Sequence, residues 1–315
     1  MSTHIALQAE VTDELSGKRL DQVAAKLFPE FSRARLQNWI RAGSLLVNGE
    51  IRRSRDKVFE EDLLSVDAEL SAEEEWSAEP MTLDIVYEDG SLLVLNKAAG
   101  AVVHPAAGHR AGTLLNGLLH HCPQLESVPR AGIVHRLDKD TTGLLVVAKT
   151  LQAHTSLVKQ LQTRTMSREY EAVVNGVLTA GGTIDLPIGR HPVNRKRQAV
   201  THSGKEAITH YTVIRRFRAH THVCVKLETG RTHQIRVHFA HLHYPLIGDK
   251  LYGGRLRIPA GCSEQLEQML RRFGRQALHA KRLGLIHPDS GEPVSWETEL
   301  PADMRKLLQA LEQDV

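Results

Sequence analysis

The polar run His135 to Gly143 leads without a break into Leu144 to Ala148, the longest uninterrupted apolar stretch in the 315 residues. Five apolar residues suit a strand covered on both faces and fall far short of the ~20 that a membrane helix needs. The chain must therefore build a sheet deep enough to bury that strand, with a polar loop fixed at its start. Positioned chemical groups are commonly carried on such loops; a turn whose aspartates cap backbone amides is the alternative. Elsewhere in the second half, alternation and turn residues predict strands at 83–87 and 92–95, joined by an Asp-Gly hairpin, and at 144–149, 170–174, 207–215 and 222–227. Helical spacing predicts helices at 113–121, 151–164 and 232–242. Hairpins outnumber βαβ alternation, so the expected class is α+β: a mixed, mainly antiparallel sheet with flanking helices.

At roughly 150 residues per domain, this length predicts about two domains. The 41% apolar and 24% charged residues are ordinary for a globular chain. The net charge of +3 is mild, but its distribution is not. Residues 18–57 hold ten Lys/Arg against four Asp/Glu, residues 60–79 hold nine acids and no base, and residues 186–220 hold eight Lys/Arg against Glu206 alone. Two basic segments suggest two phosphate-neutralising surfaces, with solvated faces as the alternative. No basic leader followed by an apolar stretch opens the chain, so a cytoplasmic protein without a membrane segment is expected. Cys122, Cys224 and Cys262 are scattered, and neither disulfides nor a zinc site is expected. His238, His241 and His243 lie close together but lack H-E-x-x-H, so no metal is expected. Without G-x-G-x-x-G or a P-loop, no nucleotide cofactor is expected. Only 4% of residues are aromatic, which argues against a broad stacking platform for single-stranded RNA.

The basic N-terminal segment has its own pattern. Leu20, Val23, Ala24 and Leu27 recur at helical spacing until Pro29. Ser32 offers an N-cap for a second helix bearing Leu36 and Ile40, which Gly43 can end. Residues 45–47 read as a strand, Asn48-Gly49 as a type I′ turn, and Ile51 as the start of the return strand. This helix–helix–hairpin leaves Arg33, Arg35, Arg41, Arg52, Arg53, Arg55 and Lys57 outside as an RNA-sized basic surface. RLDQVAAKLFPEFSRARLQNWIRAGSLLVNGE resembles the S4 RNA-binding domain. The expected divisions are an extension at 1–17, the S4-like domain at 18–67, an acidic linker at 68–80 and a catalytic domain at 81–315.

Across the second half the resemblance is to the RluA-type pseudouridine synthases. HRLDKDTTGLLVVAKT resembles their HRLD signature, and NKAAGAVVHP, SREYEAVVNG, LETGRTHQIRVH, HYPLIGDKLYG and ALHAKRLGLIHP follow in order. The resemblance implies the pseudouridine synthase fold and a cofactor-free isomerisation of uridine. The N-glycosidic bond breaks, uracil turns, and its carbon 5 joins the same ribose carbon. It implies that Asp138 is the catalytic carboxylate, attacking the sugar or removing a ribose proton. Tyr170 would lie against the uracil and help the carbon 5 proton leave. Arg231 would pair with Asp138 and aim it. Arg136 would fill the space vacated by a flipped uridine, and Asp140 would be structural. Combined with an S4 module, the resemblance implies action on 23S rRNA or a large-subunit precursor, at the helix 69 loop; nothing in the sequence suggests an obligate dimer, so a monomer is expected.

Two other classes are compatible with parts of the sequence. A ribosome-assembly factor would use the basic surfaces without chemistry, but Asp138, Tyr170 and Arg231 would then be idle. A glycosidase would need paired carboxylates, and Asp138 and Asp140 point to opposite faces of an extended loop.

Overall fold

A computed structural model describes residues 3–29, 31, 33–70, 76–105, 111–194 and 197–314. Ser32, Arg195, Lys196 and residues 71–75 of the acidic stretch lie outside the described residues. The chain separates into two compact units after residue 75.

The first unit comprises β1 (Thr3–Glu10), α1 (Leu20–Leu27), α2 (Arg33–Ala42), β2 (Leu45–Val47) and β3 (Leu63–Leu70), with an antiparallel sheet ordered β1-β3-β2. The helical spacing buries Leu20, Val23 and Ala24 with Leu36, Ile40, Leu45, Val47, Leu64 and Val66. Two expectations are corrected here. The residues expected to form an extension supply β1, which pairs with β3 from end to end. The hairpin is also different. Asn48 and Gly49 take the left-handed conformations of a type I′ turn, and Val47 and Glu50 exchange backbone hydrogen bonds. The pairing stops there, however, and Ile51 is 70% exposed in irregular chain. The true partner of β2 is β3, and Asn48 bridges to it by donating its N–H to the Leu63 carbonyl and accepting the Leu63 N–H on Oδ1.

The second unit contains β4 (Ile85–Glu88), β5 (Leu92–Lys97), α3 (Leu114–His121), β6 (Thr142–Ala148), α4 (Leu151–Gln162), β7 (Ser167–Asn175), β8 (Gly182–Asp185), β9 (Ile188–Arg190) and β10 (Gln198–Val200). It continues with β11 (Ile208–Arg216), β12 (His220–Leu227), α5 (Gln234–His241), α6 (Glu264–Arg272), β13 (Leu278–Ile286), β14 (Pro293–Glu297) and α7 (Ala302–Gln313). Nine strands form one sheet ordered β4-β5-β6-β13-β7-β12-β11-β8, with β14 on β13, while β9 and β10 pair separately. Every pair in the large sheet is antiparallel except β6 with β13.

Strand alternation sends side chains to two cores. Leu93, Leu95, Leu145, Val147 and Val225 pack with Leu115 and Leu118 of α3 and Phe239 of α5. Leu92, Val94, Leu144 and Val146 pack with Ala153 and Leu157 of α4 on the other face. The apolar run of β6 is thus buried throughout, as its length requires. The expected acidic linker is shorter than its composition suggests. Its first residues finish β3, and its last belong to the second unit: the Trp76 ring meets His104 edge-on at 4.9 Å, and Asn116 Nδ2 donates to the Ser77 carbonyl. Among the described residues no helix is long and apolar enough to cross a membrane.

Candidate active site

The parallel junction of β6 and β13 fixes the polar loop. Gly143 takes φ +109°, and a Cβ there would lie 2.2 Å from the Ala280 carbonyl oxygen, so only glycine lets the two strands meet. Just before it, Thr142 Oγ1 bonds His279 Nδ1 at 2.8 Å and Gln276 Nε2 donates to Thr141 Oγ1 at 3.0 Å. Arg275 Nη1 donates to the Asp140 carbonyl at 3.2 Å. From β5, the fully buried Lys97 ammonium donates to the carbonyls of Ala98, Ala101 and Lys139 at 2.9, 2.8 and 2.7 Å. Burial pulls that ammonium down to about 8, with Asp140 and Asp138 opposing the shift. At the loop's other end, Val146 donates its N–H to His135 Nε2 at 3.1 Å. Burial, with Arg168 nearby, takes His135 down to about 3, so it is a neutral structural acceptor rather than half of a dyad.

Asp138 sits within this clamp with 16% of its side chain exposed. Its Oδ2 accepts Nη1 of Arg236 at 2.8 Å. The expected partner, Arg231, is elsewhere: its Nε donates to the Glu206 carbonyl at 2.8 Å. The reason is the phase of α5. His233 adopts a left-handed conformation immediately before the helix, which begins at Gln234, so Arg231 lies in the preceding turn and Arg236 projects from the first helical turn. Arg236 is 7% exposed, and its Nε and Nη2 grip both oxygens of the fully buried Asp249 side chain at 2.7 and 2.9 Å. Asp249 Oδ1 also accepts the N–H groups of Leu251 and Tyr252, as a turn-forming aspartate does. Burial pulls the Arg236 guanidinium down, but the two carboxylates outweigh it and raise it above its ordinary value. Asp138 is thereby aimed by a fork that is itself held in place.

Among the described residues Asp138 Oδ1 accepts no hydrogen bond, and His233 Nε2 stands 3.8 Å away. The His233 Nδ1 lies 2.8 Å from the Tyr252 hydroxyl. Burial lowers the His233 imidazole despite the pull of Asp138.

A cavity of about 930 Å³ opens over this carboxylate, within the range of ligand sites. Tyr170 of β7 lines it and is 6% exposed; burial raises its phenol, with Arg168 opposing that shift and Asp138 adding to it. Exposed Arg130, Arg136 and Arg164 also line it, as does the half-exposed Arg231, giving a cationic surround suited to phosphates. Asp138, Tyr170 and Arg136 therefore line one cavity, and Arg231 joins them as a surround residue. His238 is buried, bonded to Thr209 Oγ1 and to the Leu186 carbonyl. Among the described residues no group of three His, Cys, Asp or Glu is placed to hold a metal.

In the first unit, Arg41, Arg52 and Arg53 are exposed and Arg35 is half-buried. Arg33 has a structural task as well. With Arg19 and Gln37 it donates to the buried Asp21, and although burial pushes that carboxyl up, these bonds hold it below its ordinary value.

An Asp-bearing loop at the junction of a large mixed sheet, facing an arginine-lined cavity and joined in one chain to a small basic module, suits chemistry on a polyanionic substrate such as RNA. A family model described as RNA pseudouridylate synthase matches residues 91–241, and one described as S4 domain matches residues 18–64. The chain belongs to the RNA pseudouridylate synthase family. It is 60% identical over its whole length to the Ribosomal large subunit pseudouridine synthase D of Pseudomonas aeruginosa, covering 98% of that protein. It is 51% identical over its whole length to the protein of the same name from Yersinia pestis, covering 97% of it. The solved structure of Human RNA Pseudouridylate Synthase Domain Containing 4 shares the fold, with a TM-score of 0.57 at 24% identity over 72% of this chain and 92% of that one.

Proposed function

We propose that this enzyme isomerises uridines of 23S rRNA, in the helix 69 loop, with Asp138 as the catalytic carboxylate acting on a flipped-out uridine. The observation that carries the reading is the Asp138–Arg236–Asp249 arrangement at the cavity. One carboxylate oxygen is fixed by a charged hydrogen bond, and the other accepts no hydrogen bond among the described residues. Such an oxygen can attack the ribose or take a ribose proton, and the fixed fork removes the cost of orienting it. In this reading Tyr170 faces the uracil and Arg136 occupies the gap in the RNA stack, which their shared position on the cavity wall supports. The large-subunit target is supported by the names and full-length similarity of the two bacterial relatives. The S4 domain, through Arg33, Arg35, Arg41, Arg52 and Arg53, adds a second grip on structured RNA. The enzyme acts as a cytoplasmic monomer and requires no cofactor.

Asp138→Asn tests the chemistry. Isomerisation of an rRNA fragment is abolished while RNA affinity stays within a few-fold, because phosphate contacts dominate the interface. Substantial residual turnover would overturn the role of Asp138. Carbodiimide mapping of pseudouridine in rRNA from cells lacking the protein tests the target: the helix 69 loop loses its modification, and an unchanged loop would refute that assignment.

A further inference from the structure

Among the described residues of the second unit, three arginines are at least nine-tenths buried: Arg168 at 7%, Arg236 at 7% and Arg275 at 8% exposure. Arg236 is neutralised by Asp249 and Asp138, and Arg275 by Asp303. Arg168 differs. Among the described residues no carboxylate pairs with it, its only hydrogen bond is a long one of 3.4 Å from Nη2 to the Glu228 carbonyl, and its buried Nε has no partner. Alternation along β7 puts it on the same face as Tyr170, two residues on, and both line the cavity over Asp138. The loop before α5 is pressed against it, since a Cβ on Gly230 would lie 2.6 Å from Arg168 Nη1.

Burying an unpaired cation costs several kcal/mol, so this guanidinium is matched to an anion that arrives with the substrate. A target uridine brings two candidates. Its phosphates are outside the base, and the exposed Arg130, Arg136 and Arg164 suit them. The base itself becomes anionic when the N1–C1′ bond breaks, because the bonding pair leaves with uracil and spreads over N1, O2 and O4. That is so whether Asp138 bonds to C1′ or removes a ribose proton. The charge is discharged when C5 bonds to C1′, as the Asp138–C1′ bond breaks or as Asp138 returns the ribose proton; the C5 proton is then lost and N1 gains a proton, so the sum remains an isomerisation.

We propose that Arg168 is the electrostatic stabiliser of the departing uracil anion. The inference rests on the Asp138 cavity being the reaction site. A desolvated, preorganised cation aimed at charge that develops during reaction acts as an oxyanion hole does.

The test uses an rRNA fragment carrying uridine or 5-fluorouridine at the target, with loss of the N1-linked nucleoside followed in a single turnover at saturating enzyme. Fluorine makes uracil more acidic and less dependent on external stabilisation. Arg168→Met is expected to slow cleavage of uridine on the order of 10² to 10³-fold, with a deficit at least ~10-fold smaller on 5-fluorouridine. Arg168→Lys retains the charge and most of the rate, and Gly230→Ala, which displaces the guanidinium, gives a smaller loss with the same narrowing. Equal deficits on both substrates would overturn the proposal, as would weakened RNA affinity with an unchanged rate at saturation, the signature of a phosphate contact. If the Met variant does not fold, a Gly230→Ala deficit identical on both substrates refutes it. Activity in Asp138→Asn would instead refute the reading of the site, whatever Arg168 does.

Discussion

Arg236→Lys separates charge from geometry at the centre of the site. The guanidinium makes three charge-assisted bonds, two to Asp249 at 2.7 and 2.9 Å and one to Asp138 at 2.8 Å. A lysine keeps the positive charge between the two carboxylates, so Asp249 is not left as an uncompensated buried anion. One ammonium cannot reproduce a planar fork spanning both acids. At least one charged hydrogen bond is lost, about 1.5–3 kcal/mol of stability, which urea denaturation will read as a shift of midpoint at unchanged slope. The kinetic loss is larger than the retained charge suggests. Releasing Asp138 from its fork lets the carboxylate wander by about 1 Å, which costs on the order of 10²-fold in rate. Single-turnover rates at saturating enzyme isolate this from binding. Arg231→Ala is the paired control: its side chain belongs to the cavity surround and among the described residues holds only the Glu206 carbonyl, so RNA affinity falls and the saturated rate is nearly unchanged. Near wild-type turnover in Arg236→Lys, or a rate collapse in Arg231→Ala, would refute the assignment.

Gly143→Ala should lower the unfolding free energy by at least about 3 kcal/mol in a denaturant melt, since it combines a positive φ with a 2.2 Å approach to the Ala280 carbonyl. His135, held near 3 when folded against 6.5 when free, makes the unfolded chain bind more protons between those values. Its stabilising contribution is full above pH 6.5 and is lost as the pH falls towards 3; His135→Asn, which keeps an acceptor for Val146 N–H, should flatten that part of the stability profile. Deleting residues 1–75 should leave a folded second unit that binds rRNA more weakly and with a shallower salt dependence. An unchanged salt slope would exclude the basic module from the RNA interface.

Much of the fold is visible in local patterns. The Asp-Gly hairpin is there because Asp89 Oδ1 accepts the N–H groups of Ser91 and Leu92, and β6 is covered on both faces as its unbroken apolar run demands. Readings failed where a distant segment decided the outcome. Ile51 follows a sound type I′ turn, but β2 pairs with a strand that begins at Leu63. Choosing between Arg231 and Arg236 needed the phase of α5, which a left-handed histidine sets and hydrophobic spacing does not reveal. Asp249 and Lys97 look like surface charges, because their partners come from other segments: Arg236 for one, and for the other the Lys139 carbonyl beside its own local turn. Two arginines five positions apart, one just before the helix and one in its first turn, would have justified weighing both for the Asp138 pairing.

The clamp on the Asp138 loop also sets a schedule for biosynthesis. Arg275, Gln276 and His279 reach residues 135 or more positions earlier in the chain. During translation, β5 and the loop emerge long before the strand that anchors them, and contacts of such separation are slow to form. The nascent chain therefore carries an N-terminal unit able to fold early and an Asp138 loop that cannot be clamped until about nine-tenths of the polypeptide has been made. A chain that stops before Arg275 has its N-terminal unit whole but none of the later residues that clamp the Asp138 loop.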